Sequence, residues 1–290
     1  MRPRQAAFMV LAACGVASVP AYSTAQTVHR DVVYATVDGK ALGLDIYLPA
    51  GVANPPLLVW VHGGMWRVGN KGQVPPVFVR NGFAVASLDF RQSTDARFPA
   101  MVHDIKGAIR FLRAHAGEYG YRTDRIAIGG SSSGGHLAAL VGVTNGSHQL
   151  EGTIGGNATQ SSAVQAIVSY FGASNLNTIL AQSTPFGLGV REPALRDLLG
   201  ALPDATPALA ELGSPVVHVG AGDPPLLLLH GDQDPQMPIN QAHELEGAYE
   251  KNGLDVYFDV VHGGAHGGEL FYAPEHLDRT LAFLRRAIGR

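Results

Sequence analysis

One stretch constrains this chain more than any other: Arg125 to Leu140, RIAIGGSSSGGHLAAL. Ile126 and Ile128 alternate with small residues, as in a short buried strand. A run of Gly and Ser follows, and His136-Leu137-Ala138-Ala139-Leu140 then reads as the start of a helix. Strand, tight turn, helix is the setting in which G-x-S-x-G carries a serine on a strained, exposed corner. Of the three consecutive serines only Ser132 has glycine two residues away on both sides, Gly130 and Gly134. The need for glycine there is steric, because neighbouring backbone must approach where a Cβ would clash.

Around this stretch, apolar runs and helical periodicities alternate. Val32–Thr36 and Leu42–Leu48 flank Asp38-Gly39 and predict a hairpin. Leu57–Val61, Phe83–Phe90, Ala166–Phe171, Pro225–His230 and Val256–Val261 read as buried strands, which with the strand entering the elbow makes eight. Helices are predicted over Val74–Asn81, Pro99–His115, Ile239–Asn252 and Pro274–Ile288. In Pro99–His115, Met101, Ile105, Ala108, Ile109 and Leu112 fall on one face. Asn145–Ser162 is polar and Gly-rich and reads as a loop. Ala173–Gly213 has weaker periodicity, with one helix at Glu192–Leu202. The alternation predicts an α/β fold: a mostly parallel eight-stranded sheet with helices on both faces. No internal repeat or linker interrupts it, so residues 26–290 are expected to form one domain.

In such a sheet the carboxyl ends of the strands form the ligand-binding rim. Those ends carry His62-Gly63-Gly64, Ser132, Asp232/Asp234 and His262/His266. A serine hydroxyl becomes an effective nucleophile when a histidine removes its proton and a carboxylate fixes the imidazole tautomer. Asp234 is the preferred acid, because four residues past His230 let the loop turn towards the serine; Asp232 is expected to brace the turn. His266, flanked by glycines beyond the last strand, is the preferred base over His262. His136 is expected to pack and hydrogen-bond. Donors for a developing oxyanion are expected from the backbone N–H groups of Gly64, Met65 and Ser133.

Composition narrows the function. The formal charge is −3 and no Lys/Arg run occurs, so no nucleic-acid footprint is visible. There is no HExxH, cysteine cluster, EF-hand loop or GxGxxG fingerprint, and neither metal nor cofactor is expected. Arg2 and Arg4 precede an apolar run, Ala6–Val19, and Ser23-Thr24-Ala25 offers a cut before Gln26. Residues 1–25 are thus expected to be a signal peptide, with the mature chain secreted or periplasmic and without a membrane span. Leu11-Ala12-Ala13-Cys14 offers the alternative of a lipid anchor on the only cysteine. Cleavage after Ala25 removes two arginines and no acid, taking the charge from −3 to −5.

With these residues in hand, the chain resembles the α/β-hydrolase superfamily, in its esterase/lipase branch of carboxylesterases related to acetylxylan and feruloyl esterases. The likeness runs from about residue 30 onward, through Trp60–Gly64, Ala86–Arg91, Phe98-Pro99-Ala100, Asp124–Ala127, Gly130–Leu140, Pro224-Pro225, His230-Gly231-Asp232 and Ala265-His266-Gly267. The resemblance implies a serine carboxylester hydrolase acting on a small-molecule or polysaccharide-linked ester, and a small cap within 173–213. Met65 departs from the small residue often found after His-Gly-Gly, which would narrow the acyl pocket. Phe171–Asn175 departs from a turn that often carries Pro and Asp. Two other readings share this fold: a prolyl-oligopeptidase-like serine peptidase, whose propeller domain 290 residues leave no room for, and a non-catalytic binding protein, which would typically have lost the serine or the histidine.

Overall fold

A computed structural model describes residues 26–289; the signal-peptide and Cys14 expectations lie outside the described residues. β1 (Thr27–Val37) and β2 (Lys40–Leu48) form the hairpin over Asp38-Gly39, whose φ angles of 50° and 79° are the left-handed geometry these two residues tolerate best. The other strands are β3 (Pro56–Val61), β4 (Ala84–Leu88), β5 (Arg122–Ser131), β6 (Ala166–Tyr170), β7 (Leu226–Gly231) and β8 (Val256–Val261). They make one sheet of order β1-β2-β4-β3-β5-β6-β7-β8, antiparallel at β1/β2 and β2/β4 and parallel elsewhere. The eight-stranded, mostly parallel sheet is the one the alternation predicts.

Helices α1 (Pro76–Arg80), α2 (Ala100–Ala114), α3 (Ala116–Tyr119), α4 (Ser133–Val143) and α5 (His148–Glu151) precede β6. Between β6 and β7 run α6 (Ile179–Gln182), α7 (Pro185–Leu199), α8 (Pro207–Leu212) and α9 (Pro215–His218); α10 (Asn240–Lys251) and α11 (Pro274–Ile288) complete the chain. Side chains of β3 alternate between two cores: Leu57, Val59 and Val61 join α2, α4 and α10, while Leu58 and Trp60 join α1 and α11. Burial on both faces is why β3 is apolar throughout rather than alternating. Met101, Ile105, Ile109 and Leu112 of α2 are completely buried; each contributes about 1.5–3 kcal/mol by leaving water.

Three predicted elements are corrected. α1 is five residues, shorter than Val74–Asn81, because Pro75 and Pro76 lack the N–H groups that would extend it. The Asn145–Ser162 loop contains α5. The helix expected at Glu192–Leu202 is α7, Pro185–Leu199. Its start was masked by Gly187, Gly189 and Pro193, all poor interior helix residues. The helix forms because Thr184 caps it, accepting the Gly187 N–H, and because Ala194, Leu195, Leu198 and Leu199 are buried against the body. Within 173–213, α6, α7 and α8 alternate with turns, and Ile179, Ala194, Leu195, Leu198, Leu199 and Ala210 are buried.

Candidate active site

The parallel strands β3, β5, β7 and β8 all end on one rim, each at the residue that precedes a predicted site segment. At the end of β5, Ser132 adopts φ 55°, ψ −123°, a region non-glycine residues avoid at a cost on the order of 1–3 kcal/mol. The turn is held by its surroundings: Ser132 N–H donates to Tyr170 O (2.9 Å), and Ser132 O accepts from His136 N–H (3.0 Å). The flanking glycines are obligatory. A Cβ on Gly134 would stand 2.1 Å from Val61 O, and one on Gly130 would stand 2.5 Å from both Val61 O and Gly134 O.

Ser132 Oγ lies 2.8 Å from His266 Nε2, and His266 Nδ1 lies 2.7 Å from Asp234 Oδ2. The structure thus brings together the three side chains expected from three separate strand ends. The Asp234 side chain is fully buried while the imidazole is 13% exposed. Since a carboxylate only accepts, Nδ1 carries the proton and Nε2 is left to accept from the serine hydroxyl. Asp234 Oδ1 takes the N–H groups of Gln236 (2.8 Å) and Met237 (2.9 Å). Burial alone would raise the Asp234 carboxyl, but hydrogen bonds from His230, His266 and the Met237 N–H outweigh it and hold the acid well below the usual carboxylate range.

Gly64 (φ 127°) and Met65 (φ 58°) turn sharply after β3. A Cβ on Gly63 would lie 3.4 Å from Ser132 Cβ, so this loop runs against the elbow. Among the described residues no protein group accepts the N–H groups of Gly64, Met65 or Ser133. The loop is anchored by Arg67 and Val68 N–H, both donating to Gly64 O at 3.0 Å. His62 follows β3 and stacks on Phe90, with Nδ1 2.7 Å from Gly63 O, a structural role.

The alternatives to the site histidine and acid lie apart from it. His262, 85% exposed, pairs with Asp232 (2.9 Å), and Asp232 Oδ1 accepts the Gly263 N–H (2.8 Å), so Asp232 braces the turn. His136 packs and hydrogen-bonds as expected. Its Nδ1 accepts from Trp66 Nε1 (3.0 Å) and its Nε2–H donates to Gly213 O (2.7 Å). Burial pushes its imidazole down to about 4, against the bond to Gly213, and the Arg191 charge adds to the shift.

Three contacts were not legible in the sequence. Phe171 meets the His266 ring edge-on at 4.8 Å between centroids. His230, buried at the end of β7, places Nε2 3.0 Å from Met237 O and 3.4 Å from Asp234 Oδ2. Arg191 of α7 donates from Nη2 to Gln236 O (2.6 Å), and burial lowers its guanidinium to about 10 despite the opposing charge of Asp234. The His230-Gly231-Asp232 run marked its own segment, but nothing local shows where the ring turns, and Arg191 carries no motif at all. Among the described residues no cluster of three or more His, Cys, Asp or Glu could hold a metal, and no helix is long and apolar enough to cross a membrane.

A serine on a strand-to-helix elbow, with histidine and acid delivered from later strands of a mostly parallel sheet, defines an α/β-hydrolase. The likenesses to known proteins agree. The chain belongs to the BD-FAE family, whose model matches residues 44–249. It is similar to the probable carboxylic ester hydrolase LipM of Mycobacterium tuberculosis, at 31% identity over 212 residues, 70% of this chain and 48% of LipM. It spans about half the length of that curated relative. Among solved structures, a truncated carbohydrate esterase from gut microbiota superposes with a TM-score of 0.80 at 30% identity, covering 93% of this chain and 98% of that one. Esterase 2 of Thermogutta terrifontis phosphonylated by sarin gives 0.75 at 26% identity, covering 93% and 96%.

Proposed function

We propose that this protein is a serine carboxylester hydrolase working through an acyl-enzyme. The observation that carries the reading is the continuous Ser132–His266–Asp234 hydrogen-bonded array, at 2.8 and 2.7 Å. Ser132 Oγ attacks the ester carbonyl while its proton passes to His266 Nε2. The imidazolium is stabilised by the buried Asp234, and the same proton is then given to the departing alcohol. Water, deprotonated by His266, attacks the acyl-serine carbonyl; the bond to Ser132 Oγ breaks, the His266 proton returns to that oxygen, and the acid is released. Gly64, Met65 and Ser133 offer their unpaired N–H groups to the oxyanion; one such donor is worth about 3–4 kcal/mol.

The substrate class we propose is a short-chain acyl or aryl ester, with acetyl or feruloyl groups on plant polysaccharide as candidates. The likeness to a carbohydrate esterase supports this. We further propose export from the cytoplasm, on the strength of residues 1–25. Ser132→Ala is expected to abolish p-nitrophenyl acetate turnover with the fold intact by circular dichroism. Wild-type-like turnover in that variant would overturn the assignment. Turnover across acyl lengths, with acetylated xylan and feruloyl esters included, identifies the substrate.

A further inference from the structure

We infer that Arg191, on the helix inserted between β6 and β7, is a positioning residue that holds the catalytic acid through the peptide joining Gln236 to Met237. The inference rests on the esterase reading above and assigns part of its machinery to a segment expected to be only a cap.

That single peptide unit is gripped at both ends. Its carbonyl, Gln236 O, accepts from Arg191 Nη2 at 2.6 Å, and its N–H, on Met237, donates to Asp234 Oδ1 at 2.9 Å. The cation therefore sits at the negative end of the peptide dipole and the carboxylate at the positive end. Each bond polarises the amide in the sense that strengthens the other. Asp234 Oδ2 is left aimed at His266. Removing Arg191 loosens the turn and withdraws a positive charge that opposes protonation of the array.

Arg191 is poorly explained as packing. It is only 2% exposed, and its Nε has no partner among the described residues. An unbranched apolar side chain would fill such a site without the cost of desolvating a charge. Its surroundings account for the charge: it acts electrostatically on Asp234 and on His136, and the carbonyl of the next peptide, Met237 O, accepts from His230. The rest of α7 agrees. The Thr184 hydroxyl donates to Pro235 O at 2.9 Å, and Gly187 packs so close that a Cβ would lie 3.1 Å from Gln236 O. At its other end Asp197 pairs with Arg67 at 2.8 Å, and Leu198 O accepts from Phe98 N–H at 3.0 Å. The helix thus spans from the turn that carries the acid to the loop that carries Gly64 and Met65.

The test compares Arg191→Met, Arg191→Gln and Arg191→Lys with wild type in kcat, KM and the pH profile of kcat/KM for p-nitrophenyl acetate. The rate of Ser132 labelling by a fluorophosphonate and the thermal midpoint are read in parallel. Met and Gln are expected to lower kcat and the labelling rate about tenfold or more, with KM within about twofold. The acid limb of kcat/KM is expected to move to higher pH, since a cation opposing protonation is gone. Lys, which keeps the charge, is expected to restore the limb and most of kcat. If Met does not fold, the Gln and Lys pair makes the same comparison. An unchanged kcat and acid limb in folded Met or Gln variants, whatever their thermal midpoint, would overturn the inference, as would a folded Lys variant no better than Gln. A wild type unlabelled at Ser132 would instead overturn the esterase reading on which this one stands.

Discussion

Replacing Asp234 by asparagine exchanges one oxygen for an amide nitrogen, and the surrounding hydrogen bonds dictate which one. Oδ1 accepts the Gln236 and Met237 N–H groups at 2.8 and 2.9 Å, so the amide oxygen must occupy that position. Turned the other way, the NH2 would face two backbone donors, and each buried mismatch costs about 1–3 kcal/mol. The NH2 therefore falls at Oδ2, 2.7 Å from His266 Nδ1. Two donors cannot share that line. The imidazole changes tautomer, leaving Nδ1 bare and putting its proton on Nε2, 2.8 Å from Ser132 Oγ. In that state it cannot receive the serine proton. Amidation of the orienting acid in a serine triad lowers kcat by about 10,000-fold, about 5 kcal/mol of transition-state stabilisation. Steady-state hydrolysis of p-nitrophenyl acetate measures it, with near-native circular dichroism expected. The matched control is Asp232→Asn, which alters only the turn beside the exposed His262 and is expected to leave kcat within about twofold. An Asp234→Asn enzyme retaining more than about a tenth of wild-type kcat would refute the tautomer argument.

Two further outcomes follow from the same geometry. The His136 imidazole, which burial pushes from 6.5 to about 4, binds a proton more readily in the unfolded chain than in the folded one between those values. Its contribution to stability is therefore complete above pH 6.5 and declines as pH falls towards 4, by about 3 kcal/mol. Urea unfolding at several pH values should show this slope in wild type and its loss in His136→Gln; parallel slopes would refute it. Gly134→Ala puts a Cβ 2.1 Å from Val61 O and 2.5 Å from His62 O, both backbone. A drop in thermal stability equivalent to about 1–3 kcal/mol is expected, with a loss of turnover as the elbow and the His62–Gly64 turn are forced apart. An alanine variant with wild-type melting and kcat would count against the steric account of the motif.

How much of this was legible in the sequence varied by element. The strands were readable because full burial leaves a local trace: Leu57–Val61 is apolar at every position when both faces are covered. The register of the serine run was readable because the approach of Val61 and His62 backbone admits only glycine at 130 and 134. The start of helix α7 leaves no local trace, since Gly187, Gly189 and Pro193 oppose a helix that packing and the Thr184 cap impose.

Residue types and their strand-end positions sufficed to nominate Ser132, His266, Asp234, Gly64, Met65 and Ser133, because strand ends in a parallel sheet share one rim. Sequence favoured Asp234 over Asp232 but could not aim the side chain. The fold sends Asp234 inward to His266 and Asp232 outward to His262. Trp66 on His136, His230 on the acid's turn and Arg191 on Gln236 O were settled only there too. These pairs lie 70, 7 and 45 residues apart along the chain. Local pattern encodes burial and backbone strain, which each residue meets on its own. The direction of a polar side chain depends on partners that only folding brings within reach.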